Sequence, residues 1–293
     1  MRVSGLFVYP IKAVRAVPLT EAAVEPRGLA GDRRWLIVDE EDVFVTQRDH
    51  PVLATVTAEL LPEGLRLRRD GMADHEVSPP PSPLPATRGI RGEGEPEPLT
   101  PQPPLPAIHR GEGEKRTVTI WRNQVDALDA GDGAAEWVSL ALDFPARLVF
   151  MGPDSRRPVD PDYGQAGDEV SFADGFPLLI TNEASLDDLN AQLASPVPMN
   201  RFRPNLVVSG ALAWGEDDWK LLRIGEVEFR NVKKCGRCLV TTTDQTTGQR
   251  MGDEPLRTLA TFRNFDGKAM FGSNLIPSGT GTIRVGDAVE VIA

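Results

Sequence analysis

With 293 residues, the chain is long enough for one large domain or two ordinary ones. Its formal net charge of −11 disfavours a nucleic-acid backbone as a partner, and no uncharged apolar run approaches the roughly 20 residues that a membrane span needs. The chain has two cysteines and no signal-peptide pattern at its start, so we expect a protein of the reducing cytoplasm without a membrane partner.

Short β-strands separated by turn residues are predicted along the N-terminal part of the chain. The first runs from Arg2 to Tyr9 and ends at Pro10, which has no N–H for a sheet. Strands at this spacing are typical of an antiparallel barrel or sandwich. The further strands are predicted at 35–39, 43–46, 52–61 and 65–69.

A proline-rich segment follows and carries eleven of the 26 prolines between residues 78 and 114. Its motifs at 83–86 and 91–95 recur later in the same segment, which indicates a duplicated insertion. The segment has almost no aromatic or β-branched residues, so it cannot bury enough apolar surface to become ordered. We therefore expect 79–114 to be disordered. The alternative is a proline-rich ligand that recruits a partner protein, which would make the chain a non-enzymatic binding module.

The remainder of the chain adds a few helices to further strands. Asp132 is predicted to cap a helix that ends near Leu142, Asn182 to cap a second helix, and 254–261 to form a short third one. The second half is therefore predicted to be a β-rich barrel with a few helices. The strands are predicted at 117–121, 147–151, 176–181, 205–208, 219–224, 226–232, 239–242, 269–275, 281–285 and 288–292.

The motif Cys235-Gly236-Arg237-Cys238 contains both thiols, and four interpretations of it are open. Zinc normally needs four ligands, and the three histidines lie far along the chain. A thioredoxin-type dithiol needs its first cysteine at the start of a helix, whereas 239–243 has the β-branched residues of a strand. Structural thiols are the general alternative. Neighbouring lysines and Arg237 favour a thiolate instead, which is a soft ligand for a soft or high-valent metal.

Basic residues cluster at three points of this acidic chain. They form either a local pocket for an anion or a set of solvated charges paired with nearby acids. The clusters are Arg33 with Arg34, Arg201 with Arg203, and Arg230, Lys233, Lys234 and Arg237.

The segment from Lys234 to Asp244, followed by Thr247 and Gly248, resembles the signature of the MOSC domain, the C-terminal module of molybdenum-cofactor sulfurase. Within that superfamily the chain is most similar to the mitochondrial amidoxime-reducing component and its bacterial relatives. The resemblance covers the whole chain apart from the proline-rich insertion, and the matching motifs occur in the same order as in that family. Its other motifs lie at 9–12, 31–35, 46–48, 202–205, 209–210 and 281–287.

The resemblance implies a mainly β fold, with a MOSC N-terminal β-barrel domain over 1–125 and a MOSC β-barrel domain over 126–293. It also implies a molybdenum–molybdopterin cofactor whose metal is bound by Cys238. Ala13 and Gly236 replace hydroxyl residues of the amidoxime reducers, so two side-chain donors are lost there. The residues that match the family's pterin and phosphate ligands are Lys12, Arg33, Thr181, Asn182, Arg203, Asn205, Gly236 and Arg237.

The implied activity is the reduction of N-hydroxylated small molecules, such as amidoximes and hydroxylamines, with electrons from a separate reductase or ferredoxin-like protein. Asp244 lies on the same face as Cys238 if the chain between them is extended. It therefore either orients groups or donates a proton at the site, or it forms the turn before 245–248. The alternative function is a carrier of the cofactor or of sulfur, with Cys238 as the persulfide site.

Overall fold

The computed structural model describes residues 1–81 and 112–293, so most of the predicted insertion at 79–114 lies outside the described residues. Strands dominate, and the mainly β class predicted from the sequence is confirmed. In the described ranges, no helix has the length and hydrophobicity that crossing a membrane requires. The α-helices are α1 (Asp132–Leu142), α2 (Glu183–Asn190) and α3 (Leu256–Phe262), and short 3-10 helices span Pro51–Thr55, Met199–Phe202, Gly215–Asp217 and Leu239–Thr242.

The strands divide between the two ends of the chain. Those before α2 are β1 (Arg2–Val8), β2 (Val17–Leu19), β3 (Glu21–Glu25), β4 (Gly28–Leu29), β5 (Trp35–Val38), β6 (Thr57–Leu61), β7 (Gly64–Arg68), β8 (His75–Val77), β9 (Lys115–Ile120), β10 (Asn123–Asp129), β11 (Arg147–Phe150) and β12 (Leu178–Asn182). Those after α2 are β13 (Leu206–Ser209), β14 (Leu221–Ile224), β15 (Val227–Gly236), β16 (Asn264–Phe265), β17 (Lys268–Pro277), β18 (Gly281–Arg284) and β19 (Val289–Val291).

The largest sheet combines both ends of the chain. Its strand order is β19-β14-β15-β17-β12-β13-β1-β2, with β16 paired to β17. Strand β1 pairs antiparallel to β13, with Leu6 opposite Leu206. Strands β12 and β13 are parallel, and such a pair needs a crossover connection, which α2 supplies. The first strand of the chain is therefore part of the sheet that the C-terminal half builds.

The structure does not separate the chain at residue 125, where the domain boundary is predicted. That residue lies inside β10, which belongs to a four-stranded sheet of order β5-β11-β10-β9. Strand β5 pairs there with β11, so Val38 lies opposite Arg147. The remaining sheets are β18-β3-β4 and β6-β7-β8. Pairing between distant strands joins the two predicted domains, and local sequence patterns do not contain this information.

Three predicted strands are corrected. Residues 43–46 form isolated bridges only. The predicted strand at 52–61 is confirmed only over Thr57–Leu61, because Pro51–Thr55 form a 3-10 helix, for which a proline at the first position is suited. Residues 239–242 are also a 3-10 helix. Its β-branched residues favour a strand, but the hydroxyls of Thr241 and Thr242 donate to the carbonyls three residues earlier, at 2.9 and 2.8 Å.

The predicted helix caps have different outcomes. Asn182 caps α2, as predicted, because its side chain accepts a hydrogen bond from the N–H of Ala184 at 3.1 Å. Asp132 does not cap α1, since the cap is Gly131, whose φ of 90° favours glycine.

Two large hydrophobic cores meet near the start of the chain. The first packs Leu67 and Trp137 between the small β6-β7-β8 sheet and α1, and it includes Ile11. The second packs Phe229 within the nine-stranded sheet and includes Val8. Since the chain passes from one core to the other between Val8 and Ile11, residues 9–12 lie at the junction of the two.

Candidate functional site

A cleft at this junction brings together side chains that are far apart in the sequence. Of the described residues that line it, five are cationic and one, Asp174, is acidic. In a chain with a net charge of −11, such a concentration of positive charge favours an anionic ligand. The cationic residues are Lys12, Arg33, Arg48, Arg203 and Arg237.

The ring of Tyr9 supports two of these cations. The guanidinium carbons of Arg33 and Arg203 lie 4.4 and 4.3 Å from its centroid. Tyr9 is buried, its hydroxyl donates to the carbonyl of Pro204 at 3.1 Å, and burial raises its pKa to about 12. Each stacking contact with a desolvated ring stabilises a guanidinium by ~2 kcal/mol. The phenol ring therefore fixes both arginines in the wall of the cleft.

Asn205 holds Arg33 in place. The Nη1 of Arg33 donates to Asp32 Oδ2 at 2.5 Å and to Asn205 Oδ1 at 3.2 Å. Asn205 also donates from Nδ2 to the carbonyl of Phe7 at 3.1 Å and accepts from the N–H of Leu179 at 3.2 Å. Asn205 therefore orients the arginine through its oxygen, while the described residues use only one of the two N–H donors of its amide.

Arg203 has a donor without a partner. Its Nη1 donates to Gln245 Oε1 at 3.1 Å, whereas its Nη2 is buried and makes no hydrogen bond to any described residue. Burial lowers the pKa of Arg203 to about 10. A buried donor left unsatisfied costs ~1–3 kcal/mol, and an anion in the cleft would satisfy it. This orphaned donor shows that the residues present fit an anionic group.

Lys12 and Asp174 form an ion pair inside the cleft. Lys12 is 6% exposed, and its Nζ donates to Asp174 Oδ1. Burial lowers the pKa of Lys12 to about 8, and the attraction of Asp174 offsets this only in part. The Nε1 of Trp121 donates to the same carboxylate oxygen at 3.3 Å. Lys12 therefore carries a proton at neutral pH and loses it under mildly basic conditions.

Each thiol has its own guanidinium. Cys238 precedes the 3-10 helix, lines the cleft, and accepts a hydrogen bond at Sγ from Nη2 of Arg48 at 3.5 Å. The Sγ of Cys235 accepts from Nη1 of Arg237 at 2.9 Å. The two sulfurs are not bridged. The thiolate is the form of cysteine that binds metals. Within the described ranges, no three His, Cys, Asp or Glu side chains converge as metal ligands.

Gly236 lies at the end of β15 and leaves room for a larger residue. A Cβ built there would lie 3.3 Å from Cδ of Lys268, which belongs to a flexible side chain. The backbone of this position is not in the left-handed region that glycine favours. The fold would therefore accept a residue with a side-chain donor at position 236, and it does not require glycine there.

Two predicted cofactor residues are not part of the cleft lining. Thr181 is buried and its hydroxyl donates to the carbonyl of Leu206 at 3.4 Å. Asn182 is buried as the cap of α2 and donates to the carbonyl of Leu212 at 2.7 Å. The chain reaches the cleft earlier, at 173–176. The cofactor roles of Thr181 and Asn182 stay predictions that the lining of this cleft does not support.

Asp244 forms a turn and is not part of the cleft lining. Its Oδ1 accepts from the N–H groups of Thr246 and Thr247 at 2.8 and 3.0 Å, and its Oδ2 lies 3.4 Å from Arg201. These backbone hydrogen bonds lower the pKa of Asp244, so it is ionised at neutral pH. Asp244 and Cys238 share a face only in an extended chain, and the 3-10 helix Leu239–Thr242 interrupts the chain between them. The turn interpretation is the one that the structure supports.

Lys12, Arg33, Arg203, Asn205, Gly236, Arg237 and Cys238 all line the cleft. The sequence prediction missed Arg48 and Asp174 as site residues. Arg48 lies in the motif at 46–48, which provided a signal. Asp174 is one of 43 acidic residues and no pattern marks it out.

Two family models match the chain. Residues 1–88 match the MOSC N-terminal beta barrel domain, and residues 167–290 match the MOSC domain. Together with the cationic, thiol-containing cleft, these matches define the class as that of β-rich MOSC proteins. The chain belongs to the MOSC family that includes the mitochondrial amidoxime-reducing components.

The sequence similarity extends over almost the entire chain. Mitochondrial amidoxime-reducing component 1 from Homo sapiens is 32% identical over 99% of this chain and 82% of that protein. Mitochondrial amidoxime reducing component 2 from Bos taurus is 31% identical over 98% and 82%. The crystal structure of the YUAD protein from Bacillus subtilis covers 98% of this chain and 93% of that chain, with 10% identity and a TM-score of 0.41. That structural similarity is too low to bear on function.

Proposed function

We propose that the protein reduces N-hydroxylated small molecules with a molybdenum–molybdopterin cofactor bound in the cleft through Cys238. The observation that carries this proposal is the orphaned Nη2 of Arg203 in the same cationic cleft as the Cys238 thiol. A thiolate and an unsatisfied arginine donor suit a ligand that presents both a soft metal and an anionic group. Relatives that are 31–32% identical are named as amidoxime-reducing components.

The residues of the cleft have distinct roles in holding this group. Cys238 binds the metal, while Arg203 and Arg33 present guanidinium donors, and Lys12 a point charge, to the phosphate and the pterin. Asn205 and Tyr9 keep Arg33 in position through the contacts described above. When bound, the group supplies the two electrons that break an N–O bond.

The reaction consumes protons as well as electrons. An amidoxime takes up two electrons and two protons, its N–O bond breaks, and it yields an amidine and water. Lys12 holds a proton at Nζ beside the cleft, because its pKa of about 8 keeps it charged at neutral pH. We further propose that the electrons come from a separate reductase or ferredoxin-like protein. We also propose that the protein works in the reducing cytoplasm, where its two cysteines stay as thiols.

A matched pair of cysteine variants tests the proposal. Cys238→Ala is expected to lose molybdenum and at least 100-fold of benzamidoxime reduction driven by dithionite-reduced viologen. Cys235→Ala, which removes the other guanidinium-bound thiol, is expected to keep both within about threefold. Metal content by elemental analysis, pterin fluorescence and turnover are measured on folded protein, as judged by thermal melting.

The outcomes separate the proposal from its rivals. Full turnover in Cys238→Ala would contradict the assigned ligand. A wild-type protein that binds the cofactor but reduces no N-hydroxylated compound would favour the carrier function, with Cys238 as a persulfide site.

A further inference from the structure

Asp174 is an unusual member of the cleft. It is acidic in a wall with five cationic residues, and its side chain is 69% exposed. The surrounding walls of the cleft partly desolvate the carboxyl group and raise the pKa of Asp174, but the charges of Lys12, Arg48 and Arg33 lower it by more. The carboxylate is therefore ionised and can only accept hydrogen bonds. The cationic side chains of the cleft are hydrogen-bond donors, whereas this carboxylate is an acceptor. It therefore provides a position in the cleft for a ligand that carries an N–H group.

The carboxylate is held at one oxygen and open at the other. Oδ1 accepts from Nζ of Lys12 and from Nε1 of Trp121, two donors that fix the orientation of the side chain. No hydrogen bond from residues 1–81 or 112–293 reaches Oδ2. A carboxylate oriented by protein donors, with one oxygen left over, is arranged to accept from a ligand.

Asp174 is connected to the candidate metal ligand through two side chains. The ring of Trp121 lies 4.5 Å from the guanidinium carbon of Arg48, and Nη2 of Arg48 donates to Cys238 Sγ at 3.5 Å. Both Asp174 and Cys238 line the same cleft. A ligand bound in this cleft therefore has both the thiol and the carboxylate in the surrounding walls.

We propose that Asp174 accepts an N–H of the substrate's amino group, so that the site prefers N-hydroxylated compounds with an amino group on the carbon that carries the N–OH nitrogen. Amidoximes and N-hydroxyguanidines have this group, whereas simple oximes do not. The inference rests on the proposed function and specifies its substrate class. Asp174 acts on the substrate directly, in addition to its contact with Lys12.

Benzamidoxime and benzaldoxime form a matched substrate pair, because the second has a hydrogen in place of the amino group. With viologen as electron donor, Asp174→Asn is expected to lower kcat/KM for benzamidoxime at least tenfold and for benzaldoxime less than threefold. If the wild type turns over benzaldoxime too slowly, its inhibition constant against benzamidoxime replaces kcat/KM. Asp162→Asn, an exposed acid outside the cleft lining, is the control and is expected to change neither.

Each result supports or overturns the inference. An equal fall for both substrates, with loss of molybdenum, would mean that Asp174 acts only through Lys12 and would overturn it. Trp121→Phe removes one donor to Oδ1 and keeps a ring at a partly exposed position, so it provides a second test if Asp174→Asn does not fold. Trp121→Phe is expected to lower kcat/KM for benzamidoxime more than for benzaldoxime, but by a smaller factor than Asp174→Asn. A wild type that reduces neither substrate would instead contradict the proposed function.

Discussion

The buried ammonium of Lys12 is expected to make folding stability and anion binding respond to pH in opposite directions. Burial lowers its pKa from 10.5 to about 8 in the folded protein. Between these values the unfolded chain binds the proton and the folded chain has released it, so the free energy of unfolding rises with pH. Since one pKa unit is worth ~1.4 kcal/mol, the gain attributable to Lys12 is about 3 kcal/mol.

The measurement compares the wild-type apoprotein with Lys12→Met. Urea unfolding at pH 7.5 and pH 10.5 is expected to show that the difference in unfolding free energy between the two proteins changes by about 3 kcal/mol, in favour of the wild type at high pH. Sulfate keeps its charge over this range, and its affinity by calorimetry is expected to fall about tenfold between pH 7 and 9.5 in the wild type, but not in the variant. A stability difference that is independent of pH would refute the reasoning.

Two further pairs of variants test the need for glycine at two backbone positions and the stacking of Arg33 and Arg203 on Tyr9. Gly272→Ala is expected to lower the free energy of unfolding by more than ~3 kcal/mol, because its φ is 74° and a Cβ would lie 2.6 Å from the carbonyl oxygen of Ile180. In Gly236→Ala the new Cβ contacts only side-chain atoms, those of Lys268 and Met270, at 3.3 Å or more, and the expected cost is less than ~1 kcal/mol. Equal denaturation midpoints for the two variants would contradict this. Tyr9→Phe loses one hydrogen bond, about 1 kcal/mol, and is expected to keep molybdenum, whereas Tyr9→Leu also loses the stacking of both arginines and is expected to bind at least tenfold less. Equal metal content in both Tyr9 variants would show that the ring is not required.

The sequence by itself determined the chemistry-bearing residues with strong local signatures. The thiol motif at 235–238 and the arginines at 33 and 203 were identified from a resemblance that follows the whole chain, and seven of the predicted residues line one cleft. Helix α2 and its Asn182 cap followed from local rules, since a cap requires only a side chain and an N–H two residues away. Local energetics is sufficient for such features.

Only the tertiary structure decided which groups face the cleft. The 3-10 helix at 239–242 overrides the strand preference of its residues and turns Asp244 away, and the packing of β12 buries Thr181 while the preceding loop exposes Asp174. The exposure of Asp174 and its contacts with Lys12 and Trp121 join residues separated by up to 162 positions. Such contacts depend on the pairing of distant strands and on burial, whose free energies no local pattern in the chain contains.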